Sequence, residues 1–307
     1  MNFLYENQDN MSSDEELKVV FSGSYEDTPE NREITVPEGI EEIAENTFRG
    51  FKNLEVVNLP SSLKIIGPSA FCGCDNLKKV NMQNGIIEIQ DEAFSSCPAL
   101  NYVSMPNSIK RIGEGAFEAC ASLSGIKLSE SVEMIGASAF AYCFNLTDVI
   151  VPDSCILIEF NAFASCFSLE SVKLSESMAL IDESLFEGCR SLKYVDLPGS
   201  LSRIGRRAFK GCSSLNSVII PIGVSAIGFD AFAACSSLKR IAIPKDIREI
   251  EDTDIFSGCD SLTEISFAGT KEGWELVCHG KTLVIEKSDL SLFTPKVSFL
   301  NIPDTKK

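Results

Sequence analysis

The chain has one histidine and one tryptophan in 307 residues, and its basic residues are outnumbered, 27 Lys and Arg against 44 Asp and Glu. Each shortage excludes something. A nucleic-acid backbone repels a surface of net charge −17 unless a local basic stripe offsets it, and no lysine or arginine run is long enough to make one. The same repulsion disfavours anionic lipid. No stretch reaches the roughly 18 apolar residues of a membrane span, so no membrane insertion is expected. The opening MNFLYENQDNMSSDEE has no basic region followed by an apolar one, and so does not read as a signal peptide. The chain reads as cytoplasmic as written, and as surface or secreted if a signal has been trimmed.

Chemistry is equally scarce. A Ser-His-Asp or Cys-His site would have to use His279, which sits beside Cys278 and reads as a plain surface or end-segment residue. No glycine-rich phosphate loop is present. The glycines following Ile66, Ile112, Ile135, Ile204 and Ile227 read as turn residues of a repeat. The run Asp14-Glu15-Glu16 reads as solvated charge. No catalytic, cofactor or metal constellation is expected.

The sequence is rich in periodicity. Phenylalanine recurs at 48, 71, 94, 117, 140, 163, 186, 209, 232 and 256, a 23-residue step that becomes 24 only at the end. Isoleucine from 43 to 250 and leucine from 54 to 262 recur in phase with it. A fixed period of this length implies stacked coils, each unable to bury its apolar groups alone. Within a coil, Leu77-Lys-Lys-Val80-Asn-Met82 alternates as a short strand with one buried face. Pro60, Pro106, Pro152, Pro198, Pro221 and Pro244 end such strands, because proline has no N–H to give a ladder. A second run, as in Leu201-Ser-Arg-Ile204, points two more aliphatics inward.

Nine of the twelve cysteines (74, 97, 120, 143, 166, 189, 212, 235 and 259) fill one column, and Phe51 takes that place in the first coil. An aromatic at the same place marks the site as apolar, so the cysteines read as small buried residues rather than disulfides or metal ligands. Cys155 reads as core too, and Cys72 and Cys278 as the more exposed thiols.

The expected organisation is an acidic N-terminal leader and cap over 1–33, ten coils over 34–265, and a C-terminal cap over 266–307. The leader carries nine acids against Lys18 and Arg32 alone. Within it Leu17–Phe21 reads as a covering strand, and Thr282–Ile285 as another at the far end. The motif LPGSLSRIGRRAFKGCSSLNSV, Leu197 to Val218, resembles the BspA-like leucine-rich repeats, the 23-residue class related to treponemal repeats. The segment ISFAGTKEGWEL, Ile265 to Leu276, is similar to the way such arrays end. The resemblance implies a right-handed stack of short parallel strands and turns or 3-10 segments. It also implies a non-enzymatic role in protein binding, with adhesion as its surface form.

In such a stack the residues between core positions carry recognition. On the strand face these include Tyr102, Lys127, Asp148, Lys173, Tyr194, Asp196 and Arg240, a partner-binding set; the alternative is ordinary solvated sheet. A break in the pattern offers a second candidate. Tyr142, Phe144, Phe160 and Phe167 stand where other coils hold small or polar residues, and an outward-facing group would make an aromatic patch. The expected partner is a protein, by way of either surface, with self-association as the alternative.

Overall fold

The computed structural model describes residues 20–21, 27–251, 253–277, 285–286, 292–293 and 296–299. The fold is a parallel β-solenoid in two compact units, Met1–Leu146 and Thr147–Lys307. Five phenylalanines of the ladder fall in each.

Each coil contributes two short strands to two walls. In the first unit the first wall pairs Glu33–Thr35, Val56–Asn58 and Lys79–Asn81 in parallel, and Tyr102–Ser104 with Gly125–Lys127. The second wall runs through Val20–Phe21, Glu42–Ile43, Ile65–Ile66, Glu88–Ile89, Arg111–Ile112 and Met134–Ile135. In the second unit the first wall holds Asp148–Ile150, Ser171–Lys173 and Tyr194–Asp196. Ser217–Ile219, Arg240–Ile243, Glu264–Phe267 and Lys296–Phe299 form a further sheet. Its second wall includes Leu180–Ile181, Arg203–Ile204, Ala226–Ile227 and Glu249–Ile250.

Pairing falls one repeat apart, as in Val57 with Val80 and Ile204 with Ile227, so identical positions meet. Prolines close the first strand into a turn: Leu63 N–H donates to Pro60 O and Leu201 N–H to Pro198 O. Helix is confined, among the described residues, to Thr253–Phe256 (3-10) and Lys271–Val277, whose Trp274 packs on Phe267 with ring centroids 5.3 Å apart. Val20–Phe21 is a strand paired with Glu42–Ile43. Ile285 belongs to a two-residue strand antiparallel to Leu292–Phe293, while Thr282 to Val284 lie outside the described residues.

The phenylalanines stack nearly parallel. Centroids lie 5.0, 5.1, 5.2 and 5.4 Å apart from Phe48 to Phe140. From Phe163 to Phe256 the spacings are 5.8, 5.5, 5.4 and 6.1 Å, widest at the 24-residue step. The ladder is tied by backbone: Phe71 N–H donates to Ala93 O and Phe209 N–H to Ala231 O, both at 2.8 Å.

Two readings of the sequence are amended. The repeat glycines are not there for turn dihedrals. Gly67 has no positive φ; a Cβ on it would lie 2.4 Å from Ile43 O, and one on Gly136 would lie 2.7 Å from Glu114 N. Glycine lets one coil's backbone press on the next. The cysteines are buried, as expected, but they also act as donors. Cys74 Sγ donates to Phe48 O at 3.2 Å, Cys120 to Phe94 O at 3.2 Å, and Cys212 to Phe186 O at 3.2 Å. A thiol is thus a small apolar filler that also reaches a carbonyl of the preceding coil. The described cysteines form no disulfide, and Cys72 is half-buried.

Candidate interaction surfaces

The strand face follows from alternation: the central valine points inward and its two neighbours outward. In the first unit Tyr102 pairs in register with Gly125, and Ser104 with Lys127. A Cβ on Gly125 would sit 3.3 Å from Tyr102 Cδ2, so the tyrosine ring lies across the space its neighbour leaves free. Toward the start of the same face Asn81 donates to Asn58 at 2.6 Å, and Asn58 to Glu33 and Thr35.

In the second unit one sheet gathers four of the predicted residues. Asp148 pairs with Ser171 and Ser171 with Tyr194; Ile150 pairs with Lys173 and Lys173 with Asp196. Acid, base, aliphatic and aromatic groups therefore sit side by side, all exposed, with Tyr194 at 68%. A shallow cavity of about 500 Å3 opens over Asp148, Ile150, Glu170, Ser171 and Lys173. Arg240 lies on the neighbouring sheet, paired with Ser217 and Glu264, and is not hydrogen-bonded into the Tyr194 group.

The four aromatic candidates have different settings. Tyr142 and Phe144 meet edge to face at 6.3 Å, both exposed. Tyr142 has φ 61°, in a column that holds Gly50 and Gly73 in the same unit. A left-handed tyrosine costs about 1 kcal/mol or more relative to its relaxed form. Tyr142→Gly should therefore leave the folded state as stable or up to about 1 kcal/mol more stable, read from the denaturant midpoint; a clear loss would mean that the ring holds the wall together. In the second unit Phe160 is exposed, whereas Phe167 is half-buried beneath the Arg190 guanidinium, 4.5 Å from its centroid.

Two features escaped the sequence reading. Ile156 and Leu157 join Phe160 as exposed apolar groups on one coil; the available signal was that they stand where Ser202 and Arg203 stand two coils later. The second is a polar cluster. The Glu251 carboxylate takes hydrogen bonds from Arg203 Nη2 at 2.7 Å, Arg206 Nε at 2.8 Å and Phe229 N–H at 3.1 Å. These donors, the Arg206 hydrogen bond foremost, hold its pKa below the usual carboxylate range. With Glu183, Arg207 and Glu249 the cluster lines an open cavity of about 500 Å3. Arg203, Arg206 and Glu251 satisfy one another, so this trio reads as a polar clasp between coils.

Among the described residues no group of three or more His, Cys, Asp or Glu is arranged to hold a metal, and no helix is long and apolar enough to cross a membrane. Cys278 and His279 lie outside the described residues.

Residues 18–147 and 156–275 match the model of the BspA type leucine-rich repeat region, in six copies. Among solved structures the chain is similar to a leucine-rich repeat protein from Bacteroides ovatus, with 25% identity over 87% of this chain and 83% of that one, TM-score 0.45. It is similar to the T. pallidum leucine-rich repeat protein, with 32% identity over 60% of this chain and 78% of that one, TM-score 0.45. It also resembles the pneumococcal vaccine antigen PcpA, with 19% identity over 88% and 80%, TM-score 0.53, a likeness of fold alone. No curated protein matches the sequence.

Proposed function

The chain belongs to the BspA-type leucine-rich repeat family, and on that premise we propose that it is a non-enzymatic scaffold whose strand face engages a protein partner. The observation that carries this reading is the sheet Asp148–Ile150, Ser171–Lys173 and Tyr194–Asp196. Its outward residues offer a rigid aromatic, both signs of charge and an aliphatic over a shallow cavity, which is the mixture that anchors protein interfaces. Arg240, on its own sheet, extends the recognition surface of the second unit, and Tyr102 with Lys127 offer a separate strand face on the first. Of the two expected caps, the described strands Val20–Phe21 and Lys296–Phe299 cover the coils at Glu42–Ile43 and Glu264–Phe267. Adhesion to a host or matrix protein at a cell surface is the specific form that the family resemblance favours.

Selection from a displayed peptide library against the whole chain tests the reading. Binders should lose at least about tenfold in affinity for a Tyr194→Ala, Lys173→Ala variant. Binders indifferent to changes across the strand face would overturn it. The second reading, self-association, draws on the exposed Tyr142 and Phe144 pair. Light scattering on the eluting protein decides it: a single monomeric mass removes it, and a concentration-dependent larger mass supports it.

A further inference from the structure

One coil of the second unit carries an apolar surface unlike its neighbours. Ile156, Leu157 and Phe160 are 65%, 36% and 47% exposed. The first and last are four positions apart, so the three lie within about 14 Å of each other along the chain. Ile156 and Phe160 flank the strand Leu157–Ile158, whose Ile158 points into the core. The equivalent positions elsewhere in the unit are mostly polar or small: Ser202, Arg203 and Arg206 in one coil, Ala179, Leu180 and Glu183 in another. Leu180, one repeat after Leu157, is half-buried and continues the apolar surface.

The rim of this surface is acidic. Glu159 stands between Leu157 and Phe160. Asn161 N–H donates to Glu183 O at 3.0 Å, which sets Asp182 and Glu183 beside Phe160. Residues 149–189 hold seven acids and a single base, Lys173, which belongs to the strand face on the other wall. The nearby Arg206 is engaged by Glu251 at 2.8 Å.

Apolar groups ringed by one sign of charge select an occupant of the opposite sign. A second copy of this chain brings net charge −17, and an anionic lipid surface brings the same sign. Both are repelled where they would have to approach closely. We propose that Ile156, Leu157 and Phe160 form a docking site for a cationic amphipathic segment of a partner protein, with aliphatic or aromatic side chains against the patch and Lys or Arg against Glu159, Asp182 and Glu183. The site rests on the scaffold reading above and names the chemistry of one partner segment.

The probe is a labelled synthetic peptide of leucine and lysine with leucines at helical spacing, titrated by fluorescence anisotropy against the full chain. Binding should saturate, weaken as salt rises, and fall at least about tenfold in an Ile156→Ser, Phe160→Ser variant. Both positions are exposed, so the variant should keep the wild-type circular dichroism. A leucine–glutamate peptide of the same spacing should not bind. Equal affinity of the variant for the leucine–lysine peptide overturns the site, as does equal binding of the acidic peptide. If Tyr194→Ala weakens the peptide and the patch variant does not, the patch is overturned while the strand-face scaffold stands.

Discussion

Phe117→Ala should lower the unfolding free energy by about 3–5 kcal/mol, read from chemical denaturation followed by far-ultraviolet circular dichroism. Phe117 is wholly buried, and its ring lies 5.2 Å from that of Phe94 and 5.4 Å from that of Phe140. Truncation removes two stacked contacts as well as the buried area, and the gap cannot close readily. The backbone on either side is pinned: Phe94 N–H donates to Ala116 O, and Phe117 N–H to Ala139 O, both at 2.8 Å. Walls held by two- and three-residue strands depend on this filling, because so few ladder bonds cross each strand. Phe144→Ala, on an exposed ring, is the control and should change stability by less than about 0.5 kcal/mol. Equal effects from the two would mean that the ladder does not bear the fold.

The architecture was legible because period and burial say the same thing. A column that holds phenylalanine in every coil has to stack on itself, and the register of Val57 with Val80 or Ile204 with Ile227 follows from the 23-residue step. What stayed hidden depends on distances between coils. Glycine after Ile66 looks like a turn residue until a Cβ at that position is seen to collide with Ile43 O of the coil before it. A cysteine column looks merely apolar until Sγ atoms such as those of Cys74 and Cys212 are seen beside a phenylalanine carbonyl of the coil before them. The surface was less legible still. Asp148, Lys173, Tyr194 and Asp196 could be placed on one face by alternation, but only the hydrogen-bonded sheets separate them from Arg240. Phe160 stood out as an aromatic in a mostly polar column that holds one other, Phe229. Ile156 and Leu157 did not, since aliphatics are common in a repeat and these two differ from those of the core only in being exposed.

Alkali should unfold this protein as pH rises above 9, because the thiols are buried as neutral groups. Burial pushes Cys120 from the ordinary 9.0 up to about 12 and Cys155 up to about 11. Cys189, Cys212 and Cys235 are raised by the same cause, and Cys97 chiefly by its hydrogen bond with Cys74. The folded state therefore keeps protons that the unfolded chain surrenders above pH 9. The stabilisation is complete below that pH and is lost as pH climbs through the folded values. Each such thiol removes about 1.4 kcal/mol for every pH unit in that window, so two of them remove roughly 3 kcal/mol per unit. Against the 5–15 kcal/mol typical of a folded domain, a few thiols acting together are enough to cause unfolding. Trp274, buried on Phe267, reports the transition in the second unit by its fluorescence. In that unit Cys189→Ala, Cys212→Ala should lower stability modestly at pH 7 and flatten its fall above pH 9 by about 3 kcal/mol per unit. Denaturant midpoints taken between pH 7 and 10.5 measure both slopes. An unchanged slope in the double variant would show that the cysteine column is not what alkali attacks.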